Sequence, residues 1–231
     1  HHPDRTKPAP AFCDIQDLRS ATAALLTEYL QARRLPITRP LATALHYGIK
    51  TDTQVFRFKL APADGALVAF LDARRDANLL YRIEFSQYSL ATLDYFSMAL
   101  VKRRYSRGVL YAHLGPLPSS DICVQVADFF MRVKEVRWSL VTGVTDQKLI
   151  VVFRCDVTRH AGRLAEVAFG SLGRAGGHHN MGRAEIQEKK LPRGLRLTNN
   201  EGIEHFVLKR LAGVDASFIH PLKILPALAS A

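Results

Sequence analysis

The stretch Gly173–Arg183 concentrates residue types that can bind an anion. It holds four glycines, two adjacent histidines and two arginines in eleven residues. Glycine permits positive φ and a close approach of the backbone to another molecule, and successive N–H groups in such a turn can form a concave anion site. Arginine and imidazole add donors suited to phosphate. The alternative interpretation is a flexible surface loop, so the surrounding sequence must decide.

The composition favours an anionic partner. Among 231 residues, 32 are Lys or Arg and 21 are Asp or Glu, which gives a net charge of +11 and a pI of about 9.9. Nucleotides, nucleic acid or an acidic surface fit that balance. The three cysteines (Cys13, Cys123, Cys155) lack CxxC spacing, which argues against a disulfide framework or structural zinc and favours a reducing cytoplasm. No apolar run approaches the ~20 residues that span a bilayer, so no membrane partner is expected.

The elements that must position this stretch differ between the two halves of the chain. The first half reads as helices, at Leu18–Arg34, at Pro40–Tyr47 with Gly48 as its stop and a polar turn at 49–53, at 66–80, and at 90–100 with Ser89 as its cap.

The second half alternates strands and helices. It reads as a strand at 109–114, a helix at 122–133 capped by Ser119 or Ser120, a hairpin of 136–144 and 148–154, a short helix at 160–169, the glycine loop, a strand at 184–187, and a helix at 201–211 capped by Asn200. This alternation predicts an α/β fold. A glycine loop between helix and strand excludes Rossmann and P-loop turns, which require strand, loop and helix in that order.

Four stretches together resemble motifs of the DHH/DHHA1 phosphoesterase superfamily, which includes RecJ-type nucleases, oligoribonucleases and cyclic-dinucleotide phosphodiesterases. Gly176-Gly177-His178 resembles the GGGH-type motif of the DHHA1 domain, with Ala175 in place of the first glycine. His1-His2-Pro3 resembles the end of the DHH(P) motif, Ser20–Ala23 the helix start that follows it, and Ala44–Thr53 the later YGIxxDT motif. Their order and spacing match the family.

The resemblance implies a two-domain α/β fold. Residues 1–102 would be a mainly helical C-terminal remnant of the α/β DHH domain. Residues 108–212 would form a smaller α/β DHHA1 domain with a mixed sheet, and 213–231 a tail, with the boundary near 103–107.

The resemblance also implies a hydrolase, a Mn²⁺-dependent phosphodiesterase or exonuclease-like enzyme with Mg²⁺ as the other candidate cofactor. By motif position His1 would bind metal, His2 would act beside the scissile phosphate, and Asp52 would be a metal-binding catalytic carboxylate. Five residues would bind substrate: Arg154, Gly176, Gly177, His178 and Arg183. The substrate would be short RNA or DNA or a small nucleotide, and the sequence does not choose between an oligoribonucleotide, single-stranded DNA, a cyclic dinucleotide and a phosphorylated mononucleotide.

One departure from the family leaves alternatives open. The aspartate-rich motifs that precede DHH in the family have no counterpart here, so the metal centre is expected to be incomplete and this chain alone inactive. The second candidate is therefore a non-catalytic nucleotide- or nucleic-acid-binding DHHA1 module. His1-His2 could also be the remnant of an affinity tag. A homodimer could form through the 122–133 helix or the hairpin.

Overall fold

The computed structural model describes residues 12–53, 60–85 and 88–224, and the chain divides into two compact units between residues 87 and 88. Within these ranges, no helix combines the length and the apolar character needed to cross a membrane.

The first unit is helical throughout its described part. Its helices are α1 (Thr22–Ala32), α2 (Arg39–Asp52), α3 (Gly65–Asp72) and α4 (Ala77–Glu84). The apolar faces of α1, α2 and α3 meet in a core of small and aliphatic residues, which are Ala21, Ala24, Ala42, Leu45, Ile49, Leu67 and Leu71.

The prediction that Gly48 ends the second helix is wrong. Helix α2 continues through Gly48 to Asp52, and Ile49 is fully buried in the core. A Cβ at position 48 would stand 3.0 Å from the Cβ of Ala23. Glycine at this position therefore lets α1 pack closely against α2, and the expected polar turn at 49–53 is the last turn of the helix.

The predicted single helix at 66–80 is two helices. Helix α3 ends at Asp72, and Asp76 then starts α4 by accepting a hydrogen bond from the Leu79 N–H at 3.0 Å. An aspartate at this position caps a new helix and satisfies one of its orphan N–H groups. The predicted cap at Ser89 is confirmed, since its Oγ accepts a hydrogen bond from the Thr92 N–H at 3.1 Å.

The second unit is built on a mixed sheet. Its elements are α5 (Leu90–Lys102), β1 (Arg104–Ser106), β2 (Val109–Pro116), α6 (Asp121–Phe130), β3 (Trp138–Thr145), β4 (Lys148–Cys155), α7 (Ala161–Phe169), β5 (Arg174–Gly177), β6 (Met181–Gln187), α8 (Asn200–Ala212) and β7 (Lys223–Ile224). The order across the sheet is β5-β6-β4-β3-β2-β1-β7. The pair β2–β3 is parallel and the other pairs are antiparallel. The predicted α/β fold with a mixed sheet is confirmed.

Helices cover the two faces of this sheet. Leu110, Val141 and Val152 point into a core with α5 and α6, whereas Tyr111, Leu140 and Phe153 point into a core with α7 and α8. This alternation follows from the two-residue period of a strand.

Two segments differ from the sequence-based outline of domains. The predicted boundary at 103–107 contains β1 and lies inside the second unit. The predicted tail contains β7, which pairs with β1, and Phe218, whose ring packs 5.6 Å from that of Trp138.

The predicted 122–133 helix corresponds to α6, and its residues Ile122, Val126 and Phe130 are buried in the core of the unit. The homodimer stays a prediction.

Candidate functional site

The predicted glycine loop is a β-hairpin, and this corrects the sequence-based interpretation. Arg174–Gly177 forms β5 and Met181–Gln187 forms β6, with the turn between them at 178–180. Glycine is disfavoured in strands, so local propensity held no indication of this hairpin. Gly176 and Gly177 have φ values of +155° and +146°, in the region that favours glycine.

Several glycines of the hairpin allow it to contact the start of α7. A Cβ on Gly182 would stand 2.5 Å from the Ala161 carbonyl oxygen, and one on Gly162 would stand 2.4 Å from the Gly177 carbonyl group. The backbones also bond directly, because the N–H groups of Ala161 and Gly162 donate to the carbonyls of His179 and His178 at 2.6 and 2.9 Å. The hairpin turn and the start of α7 are therefore one packed structure.

Three of the predicted substrate residues share one face of the sheet. Arg183 lies opposite Val152 on one side and Gly176 on the other. Arg154 follows Val152 by two residues and so points to the same face, the one that α6 partly covers. We call Arg154, Gly176 and Arg183 the sheet-face site.

Both arginines of the sheet-face site reach polar groups of α6 or its cap. Arg154 donates from Nε to Asp128 Oδ1 at 2.6 Å. Arg183 donates from Nη2 to Ser120 Oγ at 3.0 Å and pairs with Glu185 Oε1 at 2.8 Å. No signal in the sequence pointed to Asp128 or Glu185, because the first contact spans 26 residues and the second depends on the strand assignment.

Arg183 keeps donor capacity that the rest of the structure does not use. Its Nε is buried and makes no hydrogen bond to any described residue. A buried donor without an acceptor is costly, and an anion bound beside it would satisfy it. Above Gly176 there is open space, since a Cβ at that position meets no atom within 4 Å.

The charge of Glu185 is stabilised by its basic neighbours. Burial acts to raise the pKa of its carboxyl group, but Arg183 and Lys148 outweigh burial and hold the pKa below its usual value. Glu185 is therefore ionised at neutral pH and balances part of the charge of Arg183.

Gly177 and His178 belong to the turn beside the sheet-face site. Gly177 lies opposite Gly182 in the register and faces α7. The His178 N–H donates to the Met181 carbonyl at 2.8 Å, and the His178 side chain is half-buried. The neighbouring His179 donates from Nε2 to the Val157 carbonyl at 2.8 Å, with its ring edge-on to His160. His179 thus fixes the turn.

The predicted metal site is not assembled by the described residues. His1 and His2 lie outside them. Asp52 is the last residue of α2 and is partly buried. Across residues 12–53, 60–85 and 88–224, no group of three or more His, Cys, Asp or Glu side chains could hold a metal ion.

The fold places the chain in a known structural class. A crystal structure of an exopolyphosphatase-related protein from Bacteroides fragilis matches with a TM-score of 0.61 at 17% identity, over 90% of this chain and 63% of that chain. This match agrees with the α/β fold that the resemblance in the sequence predicts. At this identity the likeness establishes the fold and not the activity.

Two further proteins match most of this chain. An uncharacterized protein of Methanocaldococcus jannaschii is 29% identical over 187 residues, which are 80% of this chain and 38% of that protein. A crystal structure of RecJ from Thermus thermophilus with Mg²⁺ matches with a TM-score of only 0.38 at 15% identity, over 86% of this chain and 30% of that chain. No protein-family model matches the sequence. The chain thus spans less than two thirds of the length of each of these relatives.

Proposed function

We propose that this chain binds the phosphate groups of nucleotides or short oligonucleotides at the sheet-face site, as the substrate-binding part of a metal-dependent phosphoesterase. The observation that supports this most directly is the common position of Arg154, Gly176 and Arg183 on one face of the sheet. An arginine guanidinium donates to two phosphate oxygens at once in a planar fork. Glycine beside it allows the ligand to approach the backbone.

The free donor of Arg183 supports an anionic ligand. Each arginine of the site contacts one carboxylate, Asp128 or Glu185. A terminal phosphate group carries more charge than one carboxylate and offers more acceptor oxygens. It would satisfy the buried Nε of Arg183 as well as its Nη atoms, which Glu185 alone does not do.

The phosphoesterase is proposed to require a divalent metal ion, with Mn²⁺ as the preferred candidate and Mg²⁺ as the alternative. In a two-metal phosphoesterase the ions neutralise the phosphate, activate water and stabilise the leaving oxygen. The described residues do not fit such a centre, because no three potential ligands converge among them. Asp52 is the one predicted ligand that they include, at the negative end of the α2 dipole, where a nearby cation would offset its charge. No hydrolytic step is therefore assigned to these residues.

A non-catalytic binding module is the second candidate. The same observation favours it, because the arginines of the sheet-face site are in place while the described residues gather no metal-binding cluster. The two functions share phosphate binding and differ in hydrolysis.

Binding of a nucleoside diphosphate and of a short oligonucleotide, measured by calorimetry, tests the shared part. We expect Arg183→Ala to weaken binding by about tenfold or more, since a charge-assisted hydrogen bond contributes ~1.5–3 kcal/mol. Arg183→Lys should recover only part of the affinity, because an ammonium keeps the charge and loses the fork. Glu185→Gln should strengthen binding, since it removes a competing carboxylate.

Arg193→Ala is the matched control, because Arg193 is exposed and lies outside the site. Equal affinities for the Arg183→Ala, Arg154→Ala and Arg193→Ala variants would exclude the sheet-face site from phosphate binding.

A further inference from the structure

Four arginines lie along one end of the central sheet, in segments next to the ends of its strands. Arg107 lies in the turn between β1 and β2, Arg137 directly precedes β3, Arg159 lies between β4 and α7, and Arg163 is in the first turn of α7. We call these four residues the strand-end row. It is separate from the sheet-face site, whose arginines lie within β4 and β6.

Backbone hydrogen bonds place the segments of the row side by side. The Arg137 N–H donates to the Gly108 carbonyl at 2.7 Å, and the Asp156 N–H donates to the Arg137 carbonyl at 3.1 Å. The hydrogen bond from the Ala161 N–H to the His179 carbonyl then places the start of α7 next to the β5–β6 turn. The strand-end row therefore leads from the β1–β2 turn to the turn that contains His178, beside the sheet-face site.

The row is long enough for several phosphates. From β2, which follows Arg107, through β3 to β4 there are two strand spacings of ~4.8 Å, or about 10 Å, and one further spacing leads to β6 and the β5–β6 turn. Phosphates along one strand of a nucleic acid repeat every ~3.4 Å of helix rise, so this length exceeds one mononucleotide.

The charge of the row is little compensated. Asp156 is the described carboxylate that pairs with it, 3.7 Å from Arg159 Nη1, and its charge also interacts with that of Arg137. Within the described ranges, Arg107, Arg137 and Arg163 form no ion pair with a carboxylate, and Arg107 contacts a histidine, His220, at 2.6 Å. Three of the four arginines inside the strands differ, since Arg104, Arg154 and Arg183 each pair with an Asp or Glu.

The chemistry of the row fits a phosphate backbone rather than bases. Its side chains are cations, and the exposed large aromatic residues of the described chain lie in other segments, at Phe12, Tyr81, Phe85, Tyr88 and Phe129. A surface that binds without aromatic stacking recognises the charge and the spacing of the phosphates, and not the identity of the bases.

We propose that the strand-end row binds a linear chain of phosphates that extends away from the sheet-face site. The proposal rests on the proposed function, because the row adds length to the ligand that the sheet-face site holds. A single-stranded oligonucleotide and inorganic polyphosphate share this chemistry. The row thus favours a substrate of several linked phosphates over a mononucleotide.

Fluorescence anisotropy with a labelled dinucleotide, tetranucleotide and octanucleotide tests the row, with polyphosphate as a competitor. Affinity should rise with length, and Arg137→Ala or Arg163→Ala should weaken octanucleotide binding by roughly two- to fivefold. Each variant should also reduce the slope of log K against log salt by about 0.7. Dinucleotide binding should stay unchanged, because the dinucleotide occupies the sheet-face site alone.

Lys189→Ala is the matched control at the opposite end of the sheet, where Glu188 bonds to the turn between β3 and β4. If Arg137→Ala weakens the binding of both polyphosphate and the octanucleotide, the strand-end row binds any chain of phosphates. If it weakens the binding of the octanucleotide alone, the row binds nucleic acid. Both results support the proposal. The proposal is overturned if the affinity for oligonucleotides does not rise with their length. It is also overturned if Lys189→Ala weakens octanucleotide binding as much as Arg137→Ala does. Failure of the proposed function is distinct, because it appears as dinucleotide binding that ignores Arg183→Ala.

Discussion

His113 is almost fully buried beneath α8, and both of its ring nitrogens are hydrogen bonded. Nδ1 lies 2.8 Å from Thr142 Oγ1, and Nε2 lies 3.1 Å from Asn200 Oδ1. Because the amide oxygen of Asn200 can only accept, Nε2 carries the proton and Nδ1 accepts from the Thr142 hydroxyl. Tyr111 completes the chain with a hydroxyl 2.9 Å from Thr142 Oγ1. The network needs a neutral imidazole.

The stability of the protein should fall in acid because of His113. Burial holds the pKa of His113 below its ordinary value of 6.5, although the hydrogen bond to Asn200 opposes this shift. The unfolded chain therefore binds more protons than the folded one below about pH 6.5, so stability is complete above that pH and decreases as the pH falls. The thermal midpoint, measured across this range, should decrease accordingly.

His113→Asn should lower the midpoint at neutral pH, since a lost buried hydrogen bond costs ~1–3 kcal/mol. It should also flatten the dependence on pH. Some dependence will persist, because burial likewise lowers the pKa of His46 in the first unit. The exposed His205→Asn variant serves as the control. An unchanged slope in His113→Asn would contradict the assignment.

At the level of single residues, the motif resemblance predicts Gly176 as a substrate contact, a similar strand points to Arg154, and the place beside the glycine loop points to Arg183. The structure places these three residues on one face of the sheet, and their role in binding stays a prediction. Their partners Asp128 and Glu185 could not be found, because a carboxylate on a helix or strand reads as an ordinary solvated charge until the packing of α6 on the sheet is known.

At the level of elements, the glycines of the β5–β6 hairpin allow its backbone to pack closely against α7. Gly182→Ala would place a methyl group 2.5 Å from the Ala161 carbonyl oxygen, which belongs to the backbone and cannot turn aside. Overpacking of this kind costs ~1–3 kcal/mol. The free energy of unfolding in urea should decrease by about that amount.

Gly213→Ala is the matched control for this measurement. Gly213 has φ of −75° at the end of α8, and a Cβ there would meet its nearest neighbour at an ordinary 3.5 Å. Its free energy of unfolding should stay level or rise slightly. Equal stability of the two variants would show that α7 and the hairpin can separate without cost.

Elements with a strong apolar pattern were predictable, and those set by tertiary contact were not. The hairpin of β3 and β4 was expected at 136–144 and 148–154 and lies at 138–145 and 148–155. In contrast, α2 passes through Gly48 because Ala23 lies against it, and β5 exists although it contains two glycines because α7 packs on it. Both depend on residues distant in sequence, which a local pattern does not contain.

At the level of the whole molecule, the proposed binding of phosphate and the hydrolysis of a phosphodiester can be measured separately. We expect the 231-residue chain to bind oligonucleotides and to show little or no hydrolysis of a short RNA with Mn²⁺, since its described residues gather no three-ligand cluster. Product formation by chromatography, with and without Mn²⁺, measures this. Robust turnover that is lost in Asp52→Asn and kept in the exposed Asp17→Asn control would contradict the expectation and assign catalysis to this chain.

The backbone hydrogen bonds between the start of α7 and the β5–β6 hairpin have a consequence for amide hydrogen exchange. The first N–H groups of a helix lack partners within the helix and usually exchange quickly with solvent. Here Ala161 and Gly162 donate to carbonyls of the hairpin turn. Their amide protons should exchange more slowly than those of Asn200 and Glu201 at the start of α8. Exchange measured by NMR would then report directly on whether the turn that holds His178 opens, and ligand binding beside it should slow that exchange further.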